Sequence, residues 1–299
     1  MSVFSDLWFQ PSIVALLEMA ERTKRIRLGC ACWNPFLIHP VELTGMAAAL
    51  YSRTEGRAYL GIARGTWLDD LGVPDIPGLM AAAASGKQVE VPYTLDDMAD
   101  DAVAVLDTLG IDAAHICGAS MGGMIAQALA IRHPGRVRSL TSIMSTTGNP
   151  EVPPAQPEAM AILMEPMPED RDAVIERSID ADRVIGSPAY PGDPALLRER
   201  AARLYDRAFH PVGSARQMAA IFTHGNRAPG LGQVDVPALV IHGKADPLVP
   251  VEGGIDTHEA IPGSELLLIE GMGHNMPPEL WDEIVQAISG LTGRAAGSH

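Results

Sequence analysis

Cysteine is scarce in this 299-residue chain: only Cys30, Cys32 and Cys117 are present. So odd and sparse a set supplies neither a disulfide framework nor a four-ligand zinc site. Positive charge is also short, with 22 basic residues against 37 acidic ones and a net charge of −15. That balance argues against nucleic acid or an anionic membrane as a partner. No apolar run approaches the roughly 18–20 residues that span a bilayer. The opening MSVFSDLWFQ has no basic stretch ahead of an apolar one, so no signal peptide is expected and a cytoplasmic location is. What remains is an ordinary globular composition, 47% hydrophobic and 20% charged, with enough chain for a sizeable core.

The residues are unevenly distributed. Positions 1–73 hold seven basic and seven acidic side chains, so the whole negative excess lies in 74–299. Eight of the fourteen aromatics, including Trp8, Trp33 and Trp67, also fall in the first 73 residues. LGVPDIPG, at positions 71–78, punctuates the chain with Gly and Pro, and the break is placed there. The sequence thus divides into a first piece, 1–73, and a second, 74–299. Strand–helix–strand–helix–strand is the pattern expected before the break, with strands at VFSDLWF, RIRLGCAC and RAYLGIARG and helices at PSIVALLEMAERT and PVELTGMAAALYSRT.

Beyond the break, YTLDDMADDAVAVLDTLG reads as a helix with aspartates near its positive end. AAHICGAS follows as a strand, then MGGMIAQALAIRHP as a helix, then VRSLTSIMST as a strand. VPALVIHGKADPLVP and SELLLIEGMGH are strands with loops, and PELWDEIVQAISGL is a closing helix. The block at about 150–230 is too long for a simple crossover and is expected to be a helical lid. An α/β sandwich with a mainly parallel sheet is the fold class these alternations imply.

Gly118-Ala119-Ser120-Met121-Gly122 sits where that strand turns into that helix. A nucleophile on such a turn needs strained backbone, so glycines two residues to either side are expected to relieve clashes. The following helix start favours developing negative charge. A serine needs a base, and the base needs an orienting acid. His274 follows the apolar strand LLLIEG, and Asp246 follows ALVIHG. The order Ser120, Asp246, His274 is the one expected when all three stand at the carboxyl ends of parallel strands. Met160, Met164, Met167 and Met218 are candidates for an adaptable apolar pocket or for plain packing. His115 and His242 read as structural. Cys30 and Cys32 read as two strand residues on one face. Glu165, Glu169, Asp170 and Asp172 read as a solvated lid face.

GASMGGMIAQALA, IMSTTGNP, HGKADPLVP and GMGHNMPP resemble the α/β-hydrolases, close to methylesterases of aclacinomycin-type polyketides. This resemblance implies ester hydrolysis through an acyl-Ser120, with His274 as base, Asp246 holding its tautomer and the Met121 N–H as one oxyanion donor. The implied substrate is a small apolar ester, and the implied cofactor is none; a perhydrolase would use the same triad. DLWF, MAERTKRIRLGC, HPVEL and GRAYLGIARGTWLDDLG resemble the luciferase-like monooxygenases, (β/α)₈ barrels that bind flavin or deazaflavin. The chain therefore looks like a chimera, its first strands standing in for the hydrolase's early ones. The hydrolase's HG-type loop, source of the second oxyanion donor, is missing, as is its Asp-Arg-Asp-type turn. Loops at 32–34 or 63–66 are the expected substitutes. An impaired hydrolase and a flavin-linked oxidoreductase stay open as alternatives.

Overall fold

A computed structural model describes residues 28–33, 58–62, 91–165, 167–168, 170–209 and 211–296. The chain divides into two compact units, Met1–Asp70 with Ala104–Ile111, and Leu71–Val103 with Asp112–His299. In the first, β1 (Leu28–Trp33) and β2 (Ala58–Ile62) pair in parallel, Leu28 opposite Ala58. β2 lies within the expected strand RAYLGIARG, and β1 overlaps RIRLGCAC but runs one residue past it, to Trp33. The expected strand at VFSDLWF and the two expected helices lie outside the described residues, as do positions 34 and 63–66.

The second unit is built on four parallel strands in the order β3 (Ala114–Ala119), β4 (Val137–Ile143), β5 (Ala238–Gly243), β6 (Glu265–Ile269). Helix α1 (Leu95–Thr108) precedes β3, and α2 (Met121–Arg132) joins β3 to β4. Between β4 and β5 come α3 (Pro157–Met164), α4 (Arg171–Ile185), α5 (Pro194–Arg207), α6 (Pro211–His224) and the short α7 (Ala228–Leu231). They occupy the expected lid region. α8 (Val251–Ala260) links β5 to β6, and α9 (Trp281–Ala296) follows.

Every residue of β5 is buried, as an apolar run covered on both faces requires. Leu140 and Ala238 face a core shared with Ala99 and Val103 of α1 and Ala126, Leu129 and Ala130 of α2. Ile143, Leu239, Ile241 and Ile269 face the opposite core, with Ile284 and Leu291 of α9. The sheet therefore carries helices on both sides. α2 lies close because its buried face is mostly small: Gly123, Ala126, Ala128 and Ala130. It ends at His133, since Pro134 cannot continue a helix.

Capping fixes where other helices begin. Thr94 and Asp97 form a reciprocal box at α1, with the Thr94 N–H on Asp97 (2.7 Å) and the Asp97 N–H on Thr94 Oγ1 (3.2 Å). Asp170 accepts from the Ala173 N–H (3.0 Å) at α4, and Asp193 from the Ala195 N–H (2.7 Å) at α5. Asp170 is thus a helix cap besides being exposed; Glu165 and Asp172 are exposed, and Glu169 lies outside the described residues. No described helix is long and apolar enough to cross a membrane.

Candidate active site

β3 ends at Ala119 and α2 begins at Met121, so Ser120 alone makes the turn. Its φ of 53° and ψ of −121° lie where side chains are rarely found, a conformation that costs about 1–3 kcal/mol. Hydrogen bonds to its backbone hold it, among them the 3.2 Å bond from the Met124 N–H to Ser120 O. The Ser120 N–H donates to Ile143 O (2.9 Å), and Ser120 O accepts from the Gly123 N–H (2.9 Å) and from Ser145 Oγ (2.9 Å).

The glycines divide the work differently from the spacing rule. A Cβ on Gly118 would lie 1.9 Å from Gly122 O, so that position admits only glycine. One on Gly122 would meet nothing within 4 Å, whereas one on Gly123 would lie 2.6 Å from Ser145 Cβ. The crowding on the helix side therefore falls one residue later than expected, because α2 turns Gly123 rather than Gly122 toward the loop after β4.

Asp246 and His274 stand in the loops after β5 and β6. Ser120 Oγ donates to His274 Nε2 at 2.9 Å, and His274 Nδ1 donates to Asp246 Oδ2 at 2.7 Å. The Asp246 side chain is fully buried and that of His274 is 8% exposed. A buried carboxylate requires partners. Besides His274, Asp246 accepts on Oδ1 from the N–H groups of Leu248 and Val249, both at 2.9 Å. With its carboxylate on Nδ1, His274 carries its proton there and leaves Nε2 free to accept. The three residues expected to act together are brought within hydrogen-bond reach in the expected order. Met121 is the first residue of α2, where a backbone N–H has no acceptor within the helix.

Other candidates fall away from this line. His242 is fully buried, donates from Nε2 to Val249 O (2.8 Å) and lies 3.7 Å from Asp246 Oδ2; burial pushes its pKa down. His115 bonds Ser139 Oγ through Nδ1 (2.8 Å). Met160, Met164, Met167 and Met218 are half-buried, and none lines the cavity of about 500 Å³ between the lid helices and the Asp246 loop. Leu197, Ile179, Asp182, Ser187, Ala245 and Pro247 are among its lining. Cys30 and Cys32 lie two apart on β1. Among the described residues no group of three His, Cys, Asp or Glu side chains is placed to hold a metal.

Two neighbours carry no sequence signal strong enough to select them. Ser145 anchors the backbone of Ser120 from 25 positions away. Ser187, in the lid, reaches the His274 loop from 88 positions away.

A parallel sheet helical on both faces, with a serine on a strand–helix turn bonded to a histidine and a buried aspartate, defines the class of α/β proteins to which hydrolases of this type belong. Residues 73–279 match the model of the alpha/beta hydrolase fold, and the chain belongs to that family. Residues 3–72 match the model of the luciferase-like monooxygenases. Rhodomycin D methylesterase DnrP of Streptomyces peucetius is 29% identical over 69% of this chain and 75% of its own length. The 2-hydroxymuconate semialdehyde hydrolase of Pseudomonas sp. strain CF600 is 29% identical over 71% of each. Among solved structures, the enol-lactonase from Burkholderia xenovorans LB400 aligns with TM-score 0.52 and 26% identity, covering 69% of this chain and 76% of that one. A meta-cleavage product hydrolase from Pseudomonas fluorescens IP01 aligns with TM-score 0.56 at 20% identity, covering 70% and 75%, a likeness of fold.

Proposed function

We propose that the protein is a serine hydrolase that cleaves a small, apolar carboxylic ester through an acyl-Ser120 intermediate. The Ser120–His274–Asp246 hydrogen-bonded chain carries this reading. His274 Nε2 takes the Ser120 proton as Oγ attacks the ester carbonyl. The carbonyl oxygen becomes an oxyanion facing the Met121 N–H at the positive end of α2, a type of contact worth about 3–4 kcal/mol. Collapse expels the alcohol, which takes the proton from His274. Water then attacks the acyl carbonyl, His274 removes its proton, and Ser120 is released with the acid. Asp246 holds the Nδ1 proton throughout and steadies the imidazolium that forms. No step calls for a metal or cofactor. A methylesterase and an enol-lactonase among the relatives support an ester as the bond attacked. A cofactor-free perhydrolase would use the same three groups.

The division at 73/74 into a luciferase-like piece and a hydrolase piece with a lid at about 150–230 is part of the same proposal. So are a chimeric origin, a cytoplasmic location, and substrate binding without nucleic acid or membrane. The two family matches, which meet between residues 72 and 73, support the division.

Labelling by a fluorophosphonate probe tests the reading, together with hydrolysis of short p-nitrophenyl esters. Ser120→Ala is expected to abolish labelling, and both Ser120→Ala and His274→Ala to lower kcat by about 10⁴–10⁶-fold. A folded wild-type chain that takes no label, or a label that survives Ser120→Ala, would defeat it.

A further inference from the structure

The loop that carries His274 is held from two directions. On the sheet side, Met272 O accepts from the Ala245 N–H at 3.0 Å. On the other side, three consecutive residues are tied to the lid. The Gly273 N–H donates to Ser187 Oγ (2.9 Å), and the His274 N–H donates to Ile185 O (2.7 Å) at the end of α4. Asn275 accepts the Ser187 hydroxyl proton on Oδ1, and its Nδ2 donates to Asp182 Oδ1 (3.3 Å) on the last turn of α4.

The packing matches the hydrogen bonding. A Cβ on Gly273 would lie 2.1 Å from Gly186 O, so the two backbones touch. A Cβ on Gly271, at φ +68°, would lie 2.3 Å from Ala189 Cβ, and the Ala189 N–H donates to Gly271 O (3.3 Å). Ser187 is 4% exposed, and its hydroxyl serves both Gly273 and Asn275, donating to one while accepting from the other.

We infer that the end of α4 is a positioning element for the base: Ser187, Asn275 and Asp182 form a clasp that sets where His274 Nε2 stands relative to Ser120 Oγ. The inference rests on the proposed serine-hydrolase reading and deepens it. The clasp touches no reacting atom. It acts through the backbone on both sides of His274, leaving the imidazole itself to Asp246. Because Asp182 and Ser187 belong to the lid and Asn275 to the His274 loop, a shift of α4 reaches the histidine through the backbone of that loop. The cavity between the lid helices and the Asp246 loop is lined by two clasp residues, Asp182 and Ser187, so a molecule filling it would bear on the same device.

Ser187→Ala, Asn275→Ala and their double variant test this in the full chain, by steady-state ester hydrolysis and by the rate of fluorophosphonate labelling. Each single variant is expected to lower kcat and the labelling rate together by about 10–100-fold, with KM changed less than about twofold. The double variant is expected to equal the worse single one, since both substitutions open one clasp. Ser187→Thr, which keeps the hydroxyl, is expected to recover most of the rate. A kcat within about twofold of wild type in both single variants would overturn the clasp, as would losses that multiply in the double or a rise in KM alone. If Ser187→Ala does not fold, Asn275→Ala, at a half-buried position, decides by the same criteria. Wild-type labelling that depends on Ser120 and His274, beside clasp variants at full rate, would defeat the clasp and leave the hydrolase reading standing. A wild-type chain that takes no label would defeat both.

Discussion

Ser120 shows how much chemistry one backbone angle can hold in place. Its strained turn persists because Ile143, Gly123 and Ser145 all bond its peptide groups, so the surroundings leave it no alternative. The motif was legible in the sequence, and so were Asp246 and His274, because each follows an apolar strand whose end a parallel sheet must bring to one edge. The distribution of steric demand was not legible, because it depends on which face of α2 meets the loop after β4. A contrast between neighbours follows. Gly122→Ala is expected to fold and to gain about 0.5–1 kcal/mol, since its Cβ meets open space and alanine favours helix. Gly118→Ala is expected to lose Ser120-dependent labelling, since its Cβ would collide with Gly122 O. Urea unfolding and probe labelling of the two variants read both effects. Equal behaviour would mean that the turn is looser than its contacts imply.

At the scale of elements, the contact between β5 and α8 is the one the sequence concealed. VEGGIDTHEA carries adjacent glycines and gives little helical signal, yet it forms α8. The glycines are there for approach: a Cβ on Gly254 would lie 2.5 Å from His242 Nδ1, and one on Gly253 would lie 3.1 Å from Val249 Cγ1. α8 thus closes over His242, whose Nδ1 is buried without a hydrogen-bond partner. A proton there would enter a dry site, so the folded protein holds His242 below its usual pKa of 6.5. The unfolded chain then binds the proton more readily than the folded one. Stability from this source is complete above that usual value and falls as pH drops through and below it. Urea midpoints are expected to decline from neutral pH towards about pH 5, and His242→Gln, which keeps a donor for Val249 O, to flatten that decline. An unchanged slope in the variant would assign the acid sensitivity elsewhere. The lid shows a related device at Arg227, which burial pushes down to about 10 and which donates to Gln127 Oε1 (3.0 Å) and Thr146 O (2.7 Å). Its link to the surface runs through His224 to Asp96, a path no local pattern in the sequence announces.

For the whole molecule, the open chemical question is whether the luciferase-like piece contributes a second activity. Its match ends at residue 72, while barrels of that kind grip phosphate through loops after their last strands. Residues 73–279 match a different family, so the luciferase-like match does not extend to such loops. The luciferase-like piece itself carries no net charge, so it offers a phosphorylated cofactor no electrostatic attraction of its own. Early parallel strands are, however, interchangeable as architecture, since both folds are assembled from strand–helix–strand units of one hand. A single serine-hydrolase chemistry, as proposed, therefore takes the N-terminal piece as architecture, a claim that bound flavin would test. The purified chain is accordingly expected to be colourless, and added flavin mononucleotide to leave both its own fluorescence and the labelling of Ser120 unchanged. A flavin that co-purifies in stoichiometric amount, or one whose fluorescence is quenched on titration with the protein, would return the oxidoreductase reading to contention. A colourless protein labelled at Ser120 would leave one chemistry, that of the serine.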